Sequence, residues 1–321
     1  MSAKKKQILF ISTRRDTTIH EIQKSLEARG YQTIYFKTDL IAKGYAPFSF
    51  TVSNEGVDFI YDGQRINADS IGAAWQRKPI QELQIVDKAG QESMRNEIRC
   101  IQDGMWDIVS DECWLNRPSD IKHSEYKVRQ LLLARQLGFT IPTTVVSNRW
   151  GPIRNGIEAD PVILKMAVGS YHEAEIDKIL YTTVVPKGEL PVRTNPFPGI
   201  WQPFVGKKRE WRVTVVGKKV FPASIYTDKE ASSDWRRLAN TSHVAFKNEP
   251  FPEKVSQMCV AFLEKLRLRY GAFDFIEDAD GKLIFLEMNP GGQYMWLERS
   301  LGLPISEAIA EELIAIAEKP N

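Results

Sequence analysis

The chain has 321 residues, of which 43% are hydrophobic and 26% charged, an ordinary globular composition long enough for two or three packed lobes. Its 43 basic and 41 acidic side chains leave a formal charge of +2, so the overall balance carries no signal for binding nucleic acid or a membrane surface. Cys100, Cys113 and Cys259 are odd in number and lack CxxC spacing, which argues against a disulfide framework or a zinc site and fits a reducing compartment.

Lys4, Lys5 and Lys6 precede Gln7-Ile8-Leu9-Phe10-Ile11-Ser12, an apolar run too short for a signal peptide and without a small-residue cleavage site, so it is expected to form the first strand. No stretch reaches the roughly 20 apolar residues needed to span a bilayer. The expected setting is cytoplasmic. A helical pattern from Thr17 to Ala28, closed by Gly30, leads to the β-rich Thr33-Ile34-Tyr35-Phe36, a βαβ opening. Extended runs flank a turn at Asn54-Glu55-Gly56, and Gly72–Trp75 reads as a further strand. Ile98, Ile101, Met105 and Ile108 recur at helical spacing and predict a helix over 91–110. Leu115-Asn116-Arg117-Pro118 breaks that pattern, and the first boundary is expected there.

A helix capped by Ser124 is expected to run to Leu137, with Val128, Leu131, Leu132 and Leu137 as its apolar positions before Gly138. A strand is expected over 143–147. Pro161-Val162-Ile163-Leu164-Lys165-Met166 is a short strand that puts a lysine inside an apolar run, which favours a functional over a solvated lysine. From Trp201 onward paired strands dominate, including 210–216 and 219–226, followed by helices at 253–269 and 306–318.

The strongest chemical signal is the stretch from Ala272 to Pro290. Two β-rich runs flank Asp280-Gly281, a preferred two-residue type I′ turn. That turn would set Asp274 directly opposite Glu287, with Cβ atoms about 4.5–5.5 Å apart. Asn289 returns to the same face by the two-residue strand period. Two carboxylates forced onto one face repel unless a cation or proton lies between them, and hard oxygen donors of this kind suit magnesium. A solvated acidic hairpin is the bland alternative, but the alternating Phe273, Phe275, Phe285 and Met288 imply that the hairpin packs on something.

Asp274 with Glu287-Met288-Asn289-Pro290 resembles the magnesium signature of ATP-grasp ligases. The resemblance implies an α/β fold, α+β in the C-terminal lobes. It divides the chain into a pre-ATP-grasp domain (1–117), a central ATP-grasp subdomain (118–200) and a C-terminal subdomain with the Mg2+ site (201–321). It also implies roles: Asp274, Glu287 and Asn289 on the metal; Lys127, Lys165, Gly169 and Ser170 on the nucleotide phosphates; and Gln202, Phe204 and Val205 at the adenine. Arg212 would face the transferred phosphate, its forked guanidinium suiting an acyl phosphate or carboxylate. From the polar loop that follows, Arg236 and His243, with Arg237 beside them, are candidates to orient the substrate. No GxxxxGK[ST] is present, so phosphate binding would rest on such lysines rather than on a P-loop.

A narrower resemblance comes from Asn289-Pro290-Gly291-Gly292-Gln293, from Trp75-Gln76-Arg77-Lys78-Pro79 and from Gly138-Phe139-Thr140-Ile141-Pro142-Thr143-Thr144. These look like elements of the ribosomal-peptide maturases of the microviridin or graspetide type. That likeness implies an enzyme using ATP and Mg2+ to activate Asp or Glu side chains of a precursor peptide with a leader segment, closing ester or amide macrocycles, and working as a homodimer. Two other readings remain at this point: an ATP-grasp ligase joining an amino acid to a small-molecule or protein carboxylate, and a non-catalytic ATP-binding protein.

Overall fold

A computed structural model describes residues 7–77, 88–165, 167, 170–173, 176–179, 183–190, 198–227 and 243–319. It is a mixed α and β protein, with the first lobe built as the sequence leads one to expect. Strand β1 (Gln7–Ser12) is central in a parallel sheet, between β2 (Thr33–Lys37) and β6 (Ile71–Gln76). Its position explains its composition: Ile8 to Ile11 are all fully buried, as a parallel strand covered on both faces requires. Helix α1 (Thr17–Ala28) starts at Asp16, whose carboxylate accepts from the Thr18 amide, and Gly30 ends it with φ +79. Helix α2 (Thr38–Ala42) precedes a separate antiparallel sheet of β3 (Phe48–Ser53), β4 (Gly56–Tyr61) and β5 (Gln64–Ile66). Helix α3 (Lys88–Met105) is shorter than the expected 91–110 because its end tightens into a 3-10 turn at Trp106–Ile108. Its predicted apolar face is only partly used, with Ile101 more than half exposed.

The helix expected from Ser124 to Leu137 starts later, as α5 (Lys127–Gln136), and a separate helix, α4 (Pro118–Ser124), precedes it. Ser124 closes α4, donating to the Ile121 carbonyl instead of capping a helix start, and Lys127 opens α5. A four-stranded sheet follows, in the order β11 (Thr183–Val185), β8 (Val162–Lys165), β12 (Gly199–Pro203), β7 (Val145–Ser147). Helix α6 (Trp150–Gly156) covers one side of it; Pro152 in its first turn and Gly151 hide this helix from pattern reading. β9 (Ser170–Glu173) and β10 (Ile176–Ile179) form a separate antiparallel pair.

The five-stranded sheet that carries the site runs β15 (Val244–Lys247), β14 (Lys219–Thr227), β13 (Arg209–Val216), β16 (Tyr270–Glu277), β17 (Leu283–Asn289). One face packs on α7 (Glu253–Lys265) and α5: Trp211, Val213, Val215, Phe273, Phe275, Phe285 and Met288 share a core with Phe139, Phe262 and Leu131. The aromatic alternation of the hairpin is thereby accounted for. Helices α8 (Met295–Leu301) and α9 (Ile305–Ala317) join a second core with β1, β6 and α1. Ile309 and Leu313 of α9 are fully buried there.

The hairpin connection differs from expectation. Glu277 pairs with Leu283, and Asp278 donates to the Lys282 carbonyl while Gly281 donates to the Asp278 carbonyl. Only Gly281 has positive φ (+80); Asp280 does not, and a type I′ turn needs both. The connection is therefore an odd-residue turn with a left-handed glycine, which shifts the register by one. A bulge between the Asp274 and Phe275 pairings, where Leu286 is the extra residue, shifts it back, so Asp274 does face Glu287.

β17 is an edge strand, and its outer rim is covered. The Gln130 side chain of α5 binds both backbone groups of Met288, its Nε2 donating to the carbonyl at 2.7 Å and its Oε1 accepting from the amide at 2.9 Å. The Phe285 amide donates to the Thr140 carbonyl. Lys165 Nζ reaches the carbonyl of the bulged Leu286 at 3.4 Å. Among the described residues no helix is long and apolar enough to cross a membrane.

Candidate active site

The site is a row of charged side chains on the sheet face opposite the aromatic core. Arg212 on β13 lies directly across from Asp274 on β16, which lies directly across from Glu287 on β17. Along β17 the half-buried Glu287 and the exposed Asn289 alternate with the buried Met288, so Glu287 and Asn289 share the open face as expected. Arg212 Nη1 donates to both oxygens of Asp274 at 2.9 Å. Lys127, at the first position of α5, approaches Glu287 with its Nζ 3.1 Å from Oε2. The repulsion between the two carboxylates is thus relieved in this structure by a cation on each. The oxygens remain partly exposed, with side-chain accessibilities of 18% for Asp274 and 22% for Glu287. Asn289 Oδ1 accepts from the Gly291 amide, which orients the amide and leaves the oxygen's second lone pair for another partner.

The second wall comes from the four-stranded sheet. Val162 and Leu164 point to the core beneath it, so Ile163 and Lys165 occupy the other face by strand alternation. Gln202 on β12 is paired with Ile163 and shares that face. Gln202 is buried; its Nε2 donates to Thr144 Oγ1 at 2.9 Å, and its Oε1 is buried without a partner. An orphaned amide oxygen is a ready acceptor for an N–H donor. The Phe204 amide donates to the Pro161 carbonyl at 3.1 Å. Val205 lies half-buried just beyond the end of β12.

Ser170 opens β9, paired with Ile179, while Gly169 lies outside the described residues. Arg236 and Arg237 also lie outside them, as do Lys78 and Pro79. His243 precedes β15, on the sheet edge opposite β17, one residue before the Val244–Thr227 pairing and outside the Arg212 row. Among the described residues no three His, Cys, Asp or Glu side chains are placed to hold a metal. The donor set here is two carboxylates and an amide, a hard-oxygen set of the kind magnesium accepts together with nucleotide phosphates. A cavity of about 870 Å³, lined by Trp114, Arg117, Leu268, Arg269 and Glu312 among others, contains none of these residues.

Several residues that hold the site escaped sequence reading. Gln130 sits on an apolar helix face with nothing in its spacing to mark it. Asn116 donates to the Tyr270 and Pro290 carbonyls and accepts from the Arg269 and Tyr270 amides, pinning the start of β16 to the loop after β17. Tyr270 donates to the Gly292 carbonyl, and burial raises its hydroxyl pKa to about 12, so it remains a donor at neutral pH. Gly292 is required by close approach: a Cβ there would lie 2.5 Å from Ala272 Cβ and 2.7 Å from Arg212 Nη2.

Residues 7–122 match the family described as the MvdD pre-ATP grasp domain. Among solved structures, macrocyclase MdnC from Microcystis aeruginosa MRC, bound with precursor peptide MdnA, is 27% identical over 96% of this chain and 99% of that one, with a TM-score of 0.82. A Chryseobacterium gregarium RiPP-associated ATP-grasp ligase, in complex with ADP and a leader and core peptide, is 23% identical over 98% of each chain, TM-score 0.80. ATP-grasp ligase PsnB, complexed with minimal precursor, Mg and ADP, is 20% identical over 99% of each chain, TM-score 0.77. At those last two identities the likeness is one of fold. No curated protein matches the chain.

Proposed function

We propose, from the premise that this chain is a graspetide-type ATP-grasp ligase with an MvdD pre-ATP grasp domain, that it activates Asp or Glu side chains of a ribosomal precursor peptide and closes ester or amide macrocycles on it. The observation that carries the reading is the open row of Arg212, Asp274 and Glu287 on adjacent strands, with Asn289 on the same face and Lys127 and Lys165 reaching β17.

ATP and Mg2+ are the cofactors; transfer of the γ-phosphoryl group to a substrate carboxylate would give an acyl phosphate and ADP, and a hydroxyl or amine of the peptide would then attack the acyl carbon, releasing inorganic phosphate and a proton. Asp274, Glu287 and Asn289 would hold the metal. Lys127 and Lys165 would bring positive charge to the phosphates, with Gly169 and Ser170 as further phosphate contacts, and Gln202 Oε1, with the backbone of Phe204 and Val205, would meet the adenine. Arg212 stabilises charge on the transferred phosphoryl group by position and electrostatics, the main means by which proteins accelerate this chemistry. Arg236 and His243 orient the peptide carboxylate. The division at 117/118 and 200/201, a leader-bearing precursor as partner, homodimerisation and a cytoplasmic setting belong to the same proposal.

The test is co-expression with small peptides encoded beside the gene, followed by mass spectrometry and an ADP-release assay. Each ring closed removes one water from the precursor, and Glu287→Ala should abolish both water loss and ADP release while the fold persists. ADP release with free amino acids and none with peptides would transfer the activity to a small-molecule ligase; ATP binding without phosphate release on any substrate would make the chain a binding protein.

A further inference from the structure

Arg77, at the end of β6, is a buried cation that the chemistry above does not use: its side chain is 1% exposed. Its Nε donates to Asp16 Oδ2 at 2.8 Å, and Asp16 is itself fixed by Ser12 Oγ and by capping α1. Its Nη2 donates to Gln293 Oε1 at 2.7 Å. The backbone carbonyl of the same Gln293 accepts from Arg212 Nη2 at 3.3 Å, and Arg212 Nη1 grips Asp274. A continuous chain of contacts therefore runs Asp16, Arg77, Gln293, Arg212, Asp274, from the first lobe to the row of site carboxylates. Two nitrogens in it, Arg77 Nη1 and Arg212 Nε, are buried without partners. Burial of a donor without a partner is unfavourable.

The loop between is otherwise anchored through its backbone. The Pro290 carbonyl is held by Asn116, the Gly292 carbonyl by Tyr270, and the Gly291 amide by Asn289. Gln293 is where a side chain of this loop meets the first lobe's arginine.

We propose that Arg77 is a positioning residue for the reaction. Through Gln293 it fixes the guanidinium of Arg212 and the Asp274 carboxylate that Arg212 holds, so that the first lobe sets the geometry of the metal and phosphoryl site. This rests on the ligase reading for what Asp274 and Arg212 do. Outer contacts of this kind typically change metal affinity or activity by about 10–100-fold.

The test uses Arg77→Lys, which keeps charge opposite Asp16 but loses the reach to Gln293, and Gln293→Leu, which leaves the Arg77–Asp16 pair intact. Calorimetry of ADP binding as a function of Mg2+, together with kcat and KM for ATP in the ADP-release assay, is run on both and on the double variant. The expected result is a loss of about 10-fold or more in Mg2+ affinity and in kcat, with ADP affinity in the absence of Mg2+ and KM for ATP unchanged, and a double variant no worse than either single one. Singles that keep wild-type Mg2+ dependence and kcat would overturn the proposal, as would losses that multiply in the double variant. If the wild type releases no ADP with any peptide, the macrocyclase reading fails, while the Mg2+ titration of ADP binding still decides the role of Arg77.

Discussion

Arg212 and Asp274 face each other on adjacent strands, with one guanidinium nitrogen donating to both carboxylate oxygens at 2.9 Å. A lysine cannot reproduce both this grip and the contact from Nη2 to the Gln293 carbonyl. Arg212→Lys should retain the fold and lower kcat for ADP release by about 10²-fold, the usual scale for removing one preorganised donor to a developing charge. Steady-state kinetics beside a thermal melt decide it.

Gln202 provides a separate handle on nucleotide binding. Its orphaned Oε1 has an acceptor to offer but its Nε2 is already committed to Thr144. Gln202→Leu removes the acceptor at similar volume and should raise KM for ATP with little change in kcat, the pattern of lost uniform binding. A GTP-to-ATP preference that stays the same in the variant would show that this oxygen does not read the base.

Gln130 is a stability prediction. Replacing it by Leu leaves the Met288 amide and carbonyl without their partner at a buried strand edge. With each orphaned group costing about 1–3 kcal/mol, Gln130→Leu should destabilise by about 2–6 kcal/mol in urea unfolding, and it should weaken Mg2+ binding because Met288 lies between Glu287 and Asn289.

The pH dependence is set partly away from the site, by Arg209. Burial pushes Glu277 up, but hydrogen bonds from Arg209 and Trp211 outweigh it and leave the carboxyl below its ordinary value of 4.5. Glu249 is lowered from the same value, first by the Ser224 hydroxyl and then by Tyr226 and Arg209. A carboxylate whose pKa is lower folded than unfolded stabilises the fold above its unfolded pKa, and that stability is lost as pH falls through the folded value. Stability should therefore fall as pH drops below about 4.5, and Arg209→Met should flatten this part of the curve while lowering stability at neutral pH. Urea midpoints measured from pH 7 to pH 3 test both.

The first sheet, the lysine on β8 and the aromatic-lined hairpin were legible because each rests on local periodicity. The facing of Asp274 and Glu287 was also expected, but by an argument only half right. The Asp280-Gly281 pair does not make a two-residue turn, and the bulge at Leu286 restores the register that the longer turn displaces. The bulge lies where Lys165 meets the Leu286 carbonyl and Thr140 accepts from the Phe285 amide, contacts from outside the hairpin. The expected cap at Ser124 puts Lys127 in the first turn of a helix, while the chain opens α5 at Lys127 itself, after a separate helix that ends at Ser124. Gln130, Asn116 and Gln293 act through contacts more than 80 residues away in sequence, which no window of local pattern contains.

The occupied rim of β17 bears on how a peptide can enter. Exposed sheet edges commonly recruit an extended ligand as one further strand, but Gln130, Thr140 and Lys165 already take the backbone groups that such a strand would need. On the proposed function, a peptide that reaches this site from the β17 side would lie across the open charged face and be recognised there by its side chains, its backbone free to bend into a ring.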